Sequence, residues 1–205
     1  MTPQTEHLED FTALEWCNRI LSDPGVTKIQ KRVKLPPLNT DAPNNFFAKT
    51  LFKDDAVRAY LSLYRPGKGQ RRNTVDARVS SDALLGREKV GEEGAIFSGS
   101  NGSGRAEKKE ISYDPESPDT PEALLLVSLA PGLDGGIHRL HGGVTATLLD
   151  QVMGILISYA HENTSATAEL NVKYKKAVRT PAVVLLRARI VREAGRWIET
   201  VAWME

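Results

Sequence analysis

Within ten residues the chain sets a histidine, two glycines and an aspartate into an otherwise apolar run. His141-Gly142-Gly143 is followed by Val144 to Leu149 and then by Asp150. Two glycines opening a helix leave backbone N–H groups without acceptors at its positive dipole end, where developing negative charge is stabilised. Glycine also lets a reacting group approach the backbone closely. His141 has two roles open to it: fixing or capping the turn, or hydrogen-bonding a substrate carbonyl. Asp150 is costly to bury alone on an apolar helix, which leaves two readings. Either it is a general base or nucleophile, or it is held in an ion pair by an arginine such as Arg187 or Arg189. An oxyanion donor, a carboxylate and an apolar slot from Val152, Met153 and Leu156 are what acyl transfer to water requires.

The elements that must position these groups follow from periodicity. Val144 to Ala160 reads as a helix apolar over most of its circumference, which predicts burial on nearly all sides. Ala123 to Ala130 is a short apolar run suited to a buried strand, and Pro131 to Gly136 is turn chemistry. From Ser165 to Tyr174, Ala166, Ala168, Leu170, Val172 and Tyr174 alternate with polar residues, as in a half-buried strand. Arg179-Thr180-Pro181 breaks that run. Val183 to Arg192 and Arg196 to Met204 follow as two more strands around a turn at Glu193-Ala194-Gly195, the last with Trp197 and Trp203 on one face. A long helix followed by an antiparallel meander predicts an α+β fold with the sheet curled around the helix.

Upstream, Phe11, Leu14, Cys17 and Leu21 share one face of a helix expected over 10–22, stopped by Asp23-Pro24-Gly25. A second apolar stretch runs through Phe46, Phe47, Leu51 and Phe52, and the 57/60/61/64 spacing predicts another helix. Residues 1–65 are therefore expected to be an N-terminal extension packing on the core. Residues 66–112, with the run Ser98 to Gly104, have the composition of a flexible insertion, and residues 113–205 form the main domain. The basic run Lys28 to Lys34 reads as a solvated linker.

The segment His141 to Gly154, with Thr167-Ala168-Glu169-Leu170-Asn171-Val172-Lys173-Tyr174-Lys175-Lys176 after it, resembles the hotdog-fold thioesterases. The resemblance is to the phenylacetate-type and thioesterase superfamily member 4-like branches, and it covers roughly residues 120–205. It implies hydrolysis of an acyl-CoA or acyl-carrier thioester, with Asp150, His141, Gly142 and Thr167 as catalytic residues, Thr167 holding the attacking water. Gly143 is placed with the substrate-binding residues. No metal or other cofactor is implied. The family pattern runs through one more strand past the position of Glu205, so the final strand is expected to be missing, and either the N-terminal segment supplies a replacement or the sheet keeps an uncovered edge. Family members often carry asparagine in the loop before the histidine; here that position is Gly135, beside Asp134.

Gly142 and Asp150 lie eight positions apart, about 12 Å along a helix at 1.5 Å per residue. One thioester carbonyl does not reach both, so a shared site needs a second subunit. The resemblance implies the same: a homodimer or dimer of dimers. Lys173, Lys175, Lys176 and Arg179 are placed either to meet coenzyme A phosphates or simply to solvate a strand end. Hydratases of this fold carry a histidine five residues after the aspartate, where this chain has Ile155. Dehydratases carry a glutamate on the helix, and none lies between Val144 and Ala160. The reading from a different class is a catalytically weak or inactive acyl-CoA-binding or scaffolding protein.

Composition narrows the partners. The formal net charge is +1, too small to draw the chain to nucleic acid or an anionic membrane. Cys17 is the sole cysteine, which excludes an intrachain disulfide and favours a reducing, cytoplasmic setting. Glu6, Glu9, Asp10 and Glu15 near the start do not suit a secretory or transit signal. No apolar run reads as a membrane span; Val144 to Ala160 is interrupted by Asp150 and Gln151.

Overall fold

A computed structural model of the chain describes residues 6–31, 46–67, 110–161 and 165–205. Most of the 66–112 insertion, including Ser98 to Gly104, and residues 32–34 of the basic run lie outside the described residues.

The sheet is antiparallel throughout. Strands β1 (Lys28–Lys31), β2 (Val57–Arg65), β4 (Glu122–Leu129), β7 (Ala182–Ala194) and β8 (Trp197–Met204) lie side by side in that order. β7 outruns β4 and takes the short β3 (Glu110–Ser112) against Arg192 to Ala194. A small separate hairpin, β5 (Asp134–Gly136) and β6 (Arg139–Leu140), leads into the long helix, here α3 (Gly142–His161).

α3 lies across one face of the sheet. Leu148, Val152, Ile155, Leu156 and Tyr159 are buried against Tyr60, Leu125, Val127, Val184, Leu186 and Ile190, among others. Its opposite side, with Leu149, Asp150, Met153, Gly154 and Ile157, is half-buried. The expectation of a helix buried on nearly all sides therefore holds for one side only, and a Cβ added at Gly154 would meet nothing within 4 Å. By length and composition α3 passes the test for crossing a membrane, but the side packed on the sheet makes it the core helix of this fold.

The other sheet face is covered by α1 (Glu9–Thr12) and α2 (Glu15–Leu21), which bury Phe11 and Cys17 against Ala59, Leu61, Leu63, Leu124, Leu126 and Leu185. These two short helices replace the single helix expected over 10–22, because Leu14 is extended (φ −106°, ψ 121°) and breaks it. Burial pushes the Cys17 thiol up to about 11. Phe46–Leu51 forms a single π-helical turn that buries Phe47 and Leu51.

The helix expected over 57–64 is instead β2, and it belongs to the central sheet. Its residues are buried on both faces, so apolar positions fit a helical spacing and a strand spacing equally. Registry with β4 (Tyr60 opposite Val127, Leu63 opposite Leu124) settles the matter. Residues 1–65 thus contribute two strands to the core sheet. The reverse correction applies to Ser165 to Tyr174, which is extended but belongs to no strand. It is exposed along nearly its whole length, Leu170 and Tyr174 included. Alternation makes a strand only where another strand takes its hydrogen bonds. Among the described residues none lies beside it, save the single bridge from Arg139 to Arg179 just beyond its end.

Two polar clusters fasten the outer layer. Glu122, at 1% exposure, meets Arg65, Arg187 and Arg189, and Arg65 also reaches Asp23 at 2.5 Å. Asp10 accepts from Arg58 at 2.9 Å and from Ser128 on β4. Burial pushes the Asp10 carboxyl up, but the bonds from Arg58 and Ser128 and the charge of Arg58 outweigh it and hold the group below its ordinary value.

Removing one member of a buried charge cluster leaves the rest uncompensated. Glu122→Ala should therefore cost about 3–5 kcal/mol in urea denaturation; a loss under about 1 kcal/mol would show the arginines to be solvated without it. For Asp10 the folded-state value lies below the unfolded one, near 3.9. Its contribution is complete above that value and fades as pH falls through the lower, folded one. Asp10→Asn should flatten the acid limb of a stability-versus-pH curve below about pH 4. An unchanged limb would show that Asp10 contributes nothing to it.

Candidate functional site

The chain enters α3 through a tightly held corner. The His141 amide donates to the Leu133 carbonyl at 2.9 Å and the Leu140 amide to the Val178 carbonyl at 2.9 Å. The Thr180 hydroxyl donates to Asp134, tying the segment after residue 178 to the start of β5. Gly135 must be glycine here. A Cβ would lie 2.8 Å from His141 Cδ2 and 2.9 Å from its Cα.

His141 caps the helix it precedes. Its Nδ1 accepts from the Gly143 amide at 2.9 Å, while its carbonyl accepts from Val144 at 3.0 Å and Thr145 at 3.2 Å. With Nδ1 an acceptor, the neutral ring carries its proton on Nε2, which is left as a donor. Of the first four helical amides, those of Gly143, Val144 and Thr145 are therefore used. The Gly142 amide has no acceptor among the described residues. The Tyr174 hydroxyl donates to the Gly142 carbonyl at 3.0 Å, and its ring lies 3.4–3.6 Å from where a Gly142 Cβ would stand.

Two turns along the helix, Asp150 accepts a 2.6 Å hydrogen bond from the Thr167 hydroxyl. Thr167 therefore orients one carboxylate oxygen and leaves the other unengaged by it. The ion-pair reading of Asp150 does not hold: Arg187 and Arg189 converge on Glu122, on the sheet face away from α3. Lys173, Lys175 and Lys176 are exposed, on the segment whose Tyr174 reaches Gly142. Among the described residues no three His, Cys, Asp or Glu side chains come together as a metal site would need.

The structure thus gathers the candidate residues into two clusters on one helix. One holds His141, Gly142 and Gly143, the other Asp150 and Thr167, and the three lysines are not brought to either. Gly135 and Tyr174 join the first cluster, and sequence reasoning gave neither a role there. Gly135 stood out only as a position where related sequences carry asparagine, and Tyr174 only as one more alternating residue of a strand.

Residues 138–201 match the family model of the thioesterase superfamily. That stretch, with the long helix packed on an antiparallel sheet, is a thioesterase superfamily domain of the hotdog fold. Its membership supports thioester hydrolysis as the general class of chemistry. No curated protein and no solved structure matches the chain.

Gly135→Ala tests how strictly His141 is held. Its Cβ meets backbone as well as ring, so His141 must shift. Hydrolysis of a thioester substrate should fall by about 100-fold, as a roughly 1 Å misplacement can cause. An unchanged rate would mean that the position of His141 does not matter.

Proposed function

We propose that the protein hydrolyses the thioester of an acyl-CoA, or of an acyl carrier, to free acid and thiol. The observation that carries this reading is the Gly142 amide, left as a donor at a helix N-terminus by a histidine cap that takes up its neighbours. In this reading the thioester carbonyl oxygen sits against that amide, which stabilises the oxyanion as the tetrahedral intermediate forms. Asp150 takes a proton from water as the water oxygen bonds to the carbonyl carbon, with Thr167 holding carboxylate and water in line. Alternatively, Asp150 attacks the carbon itself, and water then cleaves the anhydride. Collapse expels the thiolate, which leaves protonated as the thiol. Lys173, Lys175 and Lys176, exposed on the segment that carries Tyr174, attract a phosphorylated carrier.

The two clusters stand about 12 Å apart, so the proposal includes a homodimer, or a dimer of dimers. Each site then takes its amide from one copy and its carboxylate from another. The half-exposed apolar side of α3 and the strandless 165–174 segment support that assembly. Cys17, a buried free thiol, suits the cytoplasmic setting that completes the proposal.

Substitutions that silence each half separately test this. Gly142→Pro removes the amide at a helix position that tolerates proline and should lower kcat by about 100- to 1,000-fold. Asp150→Asn should do the same or worse. Mixed dimers of the two variants should regain activity, because one of their two sites is intact. Failure to regain activity in confirmed mixed dimers would sink the shared site. Tight acyl-CoA binding by the wild type without turnover would favour the non-catalytic binding module.

A further inference from the structure

The hairpin that leads into α3 carries at its tip a residue the fold does not use. Gly136 and Arg139 are register partners, so Ile137 and His138 alone make the turn between β5 and β6. Turn positions favour glycine, asparagine and aspartate, and a β-branched isoleucine there packs against nothing. At 93% exposure Ile137 is the barest large hydrophobic side chain among the described residues. Beside it His138 takes a φ of 51°.

The surface behind this tip is basic without interruption. Residues 135–149 and 170–181 carry Arg139, Lys173, Lys175, Lys176 and Arg179, and no aspartate or glutamate. The fold lays the two stretches together. The Tyr174 hydroxyl reaches the Gly142 carbonyl, the Leu140 amide the Val178 carbonyl and the Thr180 amide the His138 carbonyl. Arg139 stands opposite Arg179 in an isolated bridge. Residues directly opposite share a face, so both arginines leave the face that carries Gly136, beside which the Arg139 guanidinium lies. Leu140 and Thr180 are buried on the other face. Asp134, the hairpin's one carboxylate, is in register with Leu140 and engaged by the Thr180 hydroxyl, and so lies away from the arginines. Lys175 and Lys176 stand exposed between the Tyr174 and Val178 anchors. Among the described residues none of Arg139, Lys175, Lys176 and Arg179 forms an ion pair. Arg58, Arg65, Arg187, Arg189 and Arg192 each have a carboxylate partner.

A whole-chain charge of +1 gives no general attraction to an anionic surface, but that average conceals a corner where only cations are gathered. The chemistry of what would neutralise them is restricted. A protein–protein interface needs a close-packed apolar centre, from which lysine is depleted, and one isoleucine among cations does not supply it. Attachment to a bilayer takes two modest signals together, an apolar group that enters the headgroup layer and a polybasic patch beside it. The hairpin tip and the segment after Tyr174 present that combination.

We propose that this corner is a docking surface for an anionic lipid bilayer. Ile137 enters the headgroup layer, and Arg139, Arg179, Lys175 and Lys176 meet its anionic groups. Gly142 lies five positions after Ile137, so docking holds the candidate amide near the surface into which long acyl chains partition. The docking goes beyond the hydrolase reading and does not depend on it.

The test is sedimentation of the full-length protein with vesicles of phosphatidylcholine, alone or mixed with phosphatidylserine. The wild type should partition onto the mixed vesicles at low salt, leave them as salt rises, and ignore phosphatidylcholine alone. Each basic side chain at an anionic surface is worth about a fivefold gain in partitioning, so Arg139→Gln/Arg179→Gln should lower it about 25-fold. The arginines are chosen because the lysines have a proposed part in attracting the carrier. Ile137→Ser should lower partitioning about tenfold with an unchanged thermal melt, since that side chain is bare. Equal sedimentation with both kinds of vesicle, or equal partitioning of the wild type and either variant, overturns the inference. Absence of sedimentation with the mixed vesicles overturns it too, and leaves an acidic protein as the occupant. The vesicles carry no thioester, so each outcome stands whether or not the chain hydrolyses one.

Discussion

Everything at the site depends on which side of α3 is pressed against the sheet. Leu148, Val152, Ile155, Leu156 and Tyr159 are buried there, and full burial of such side chains stabilises by about 1.5–3 kcal/mol each. That sum fixes the rotation of the helix about its axis. Asp150 is two positions from both Leu148 and Val152, about 200° around a helix of 3.6 residues per turn. Burying both leucine and valine turns the carboxylate away from the core and towards Thr167. Asp150 thus keeps the solvation of a half-buried group, without the cost of an isolated charge in the interior. Packing places it, and no ion pair is needed to hold it.

The sheet is made firm enough for this by being covered twice. α3 takes one face and the two N-terminal helices take the other, so β2 and β4 are buried on both sides. That double burial explains what the sequence did and did not disclose. β4 reads as a strand because eight residues without a break are too few for a buried helix and suit a buried strand. β2 carries Tyr60 and Tyr64 towards one cluster and Ala59, Leu61 and Leu63 towards the other. Nothing in its own periodicity distinguishes that from a helix. Its identity is a property of the β2–β4 registry, which no local window contains. Ser165 to Tyr174 fails in the opposite sense. Its alternation is plain, but the partner strand that would turn alternation into pairing does not lie beside it.

The site divides along the same line. His141, Gly142, Asp150 and Thr167 were legible because each is chemically out of place locally: glycines opening a helix, a carboxylate among apolar residues. Gly135 and Tyr174 were not, because their significance is entirely tertiary. A glycine in a Gly-rich turn announces nothing until His141 is found 2.8 Å from its missing Cβ.

The division of contacts also bears on how a shared site would be assembled. Within one chain His141 already caps α3 and Tyr174 already holds the Gly142 carbonyl. Likewise Thr167 already holds its own Asp150. Neither half waits for a partner to arrange it, so association would bring together two preorganised pieces. Little side-chain freedom would then remain to be lost when substrate arrives. The extended 165–174 segment connects the halves, with Thr167 at the carboxylate and Tyr174 at the Gly142 carbonyl. A second copy seated against that segment and the open side of α3 would restrain both contacts at once. Dimerisation would then act on catalysis through rigidity as well as through the residues it supplies.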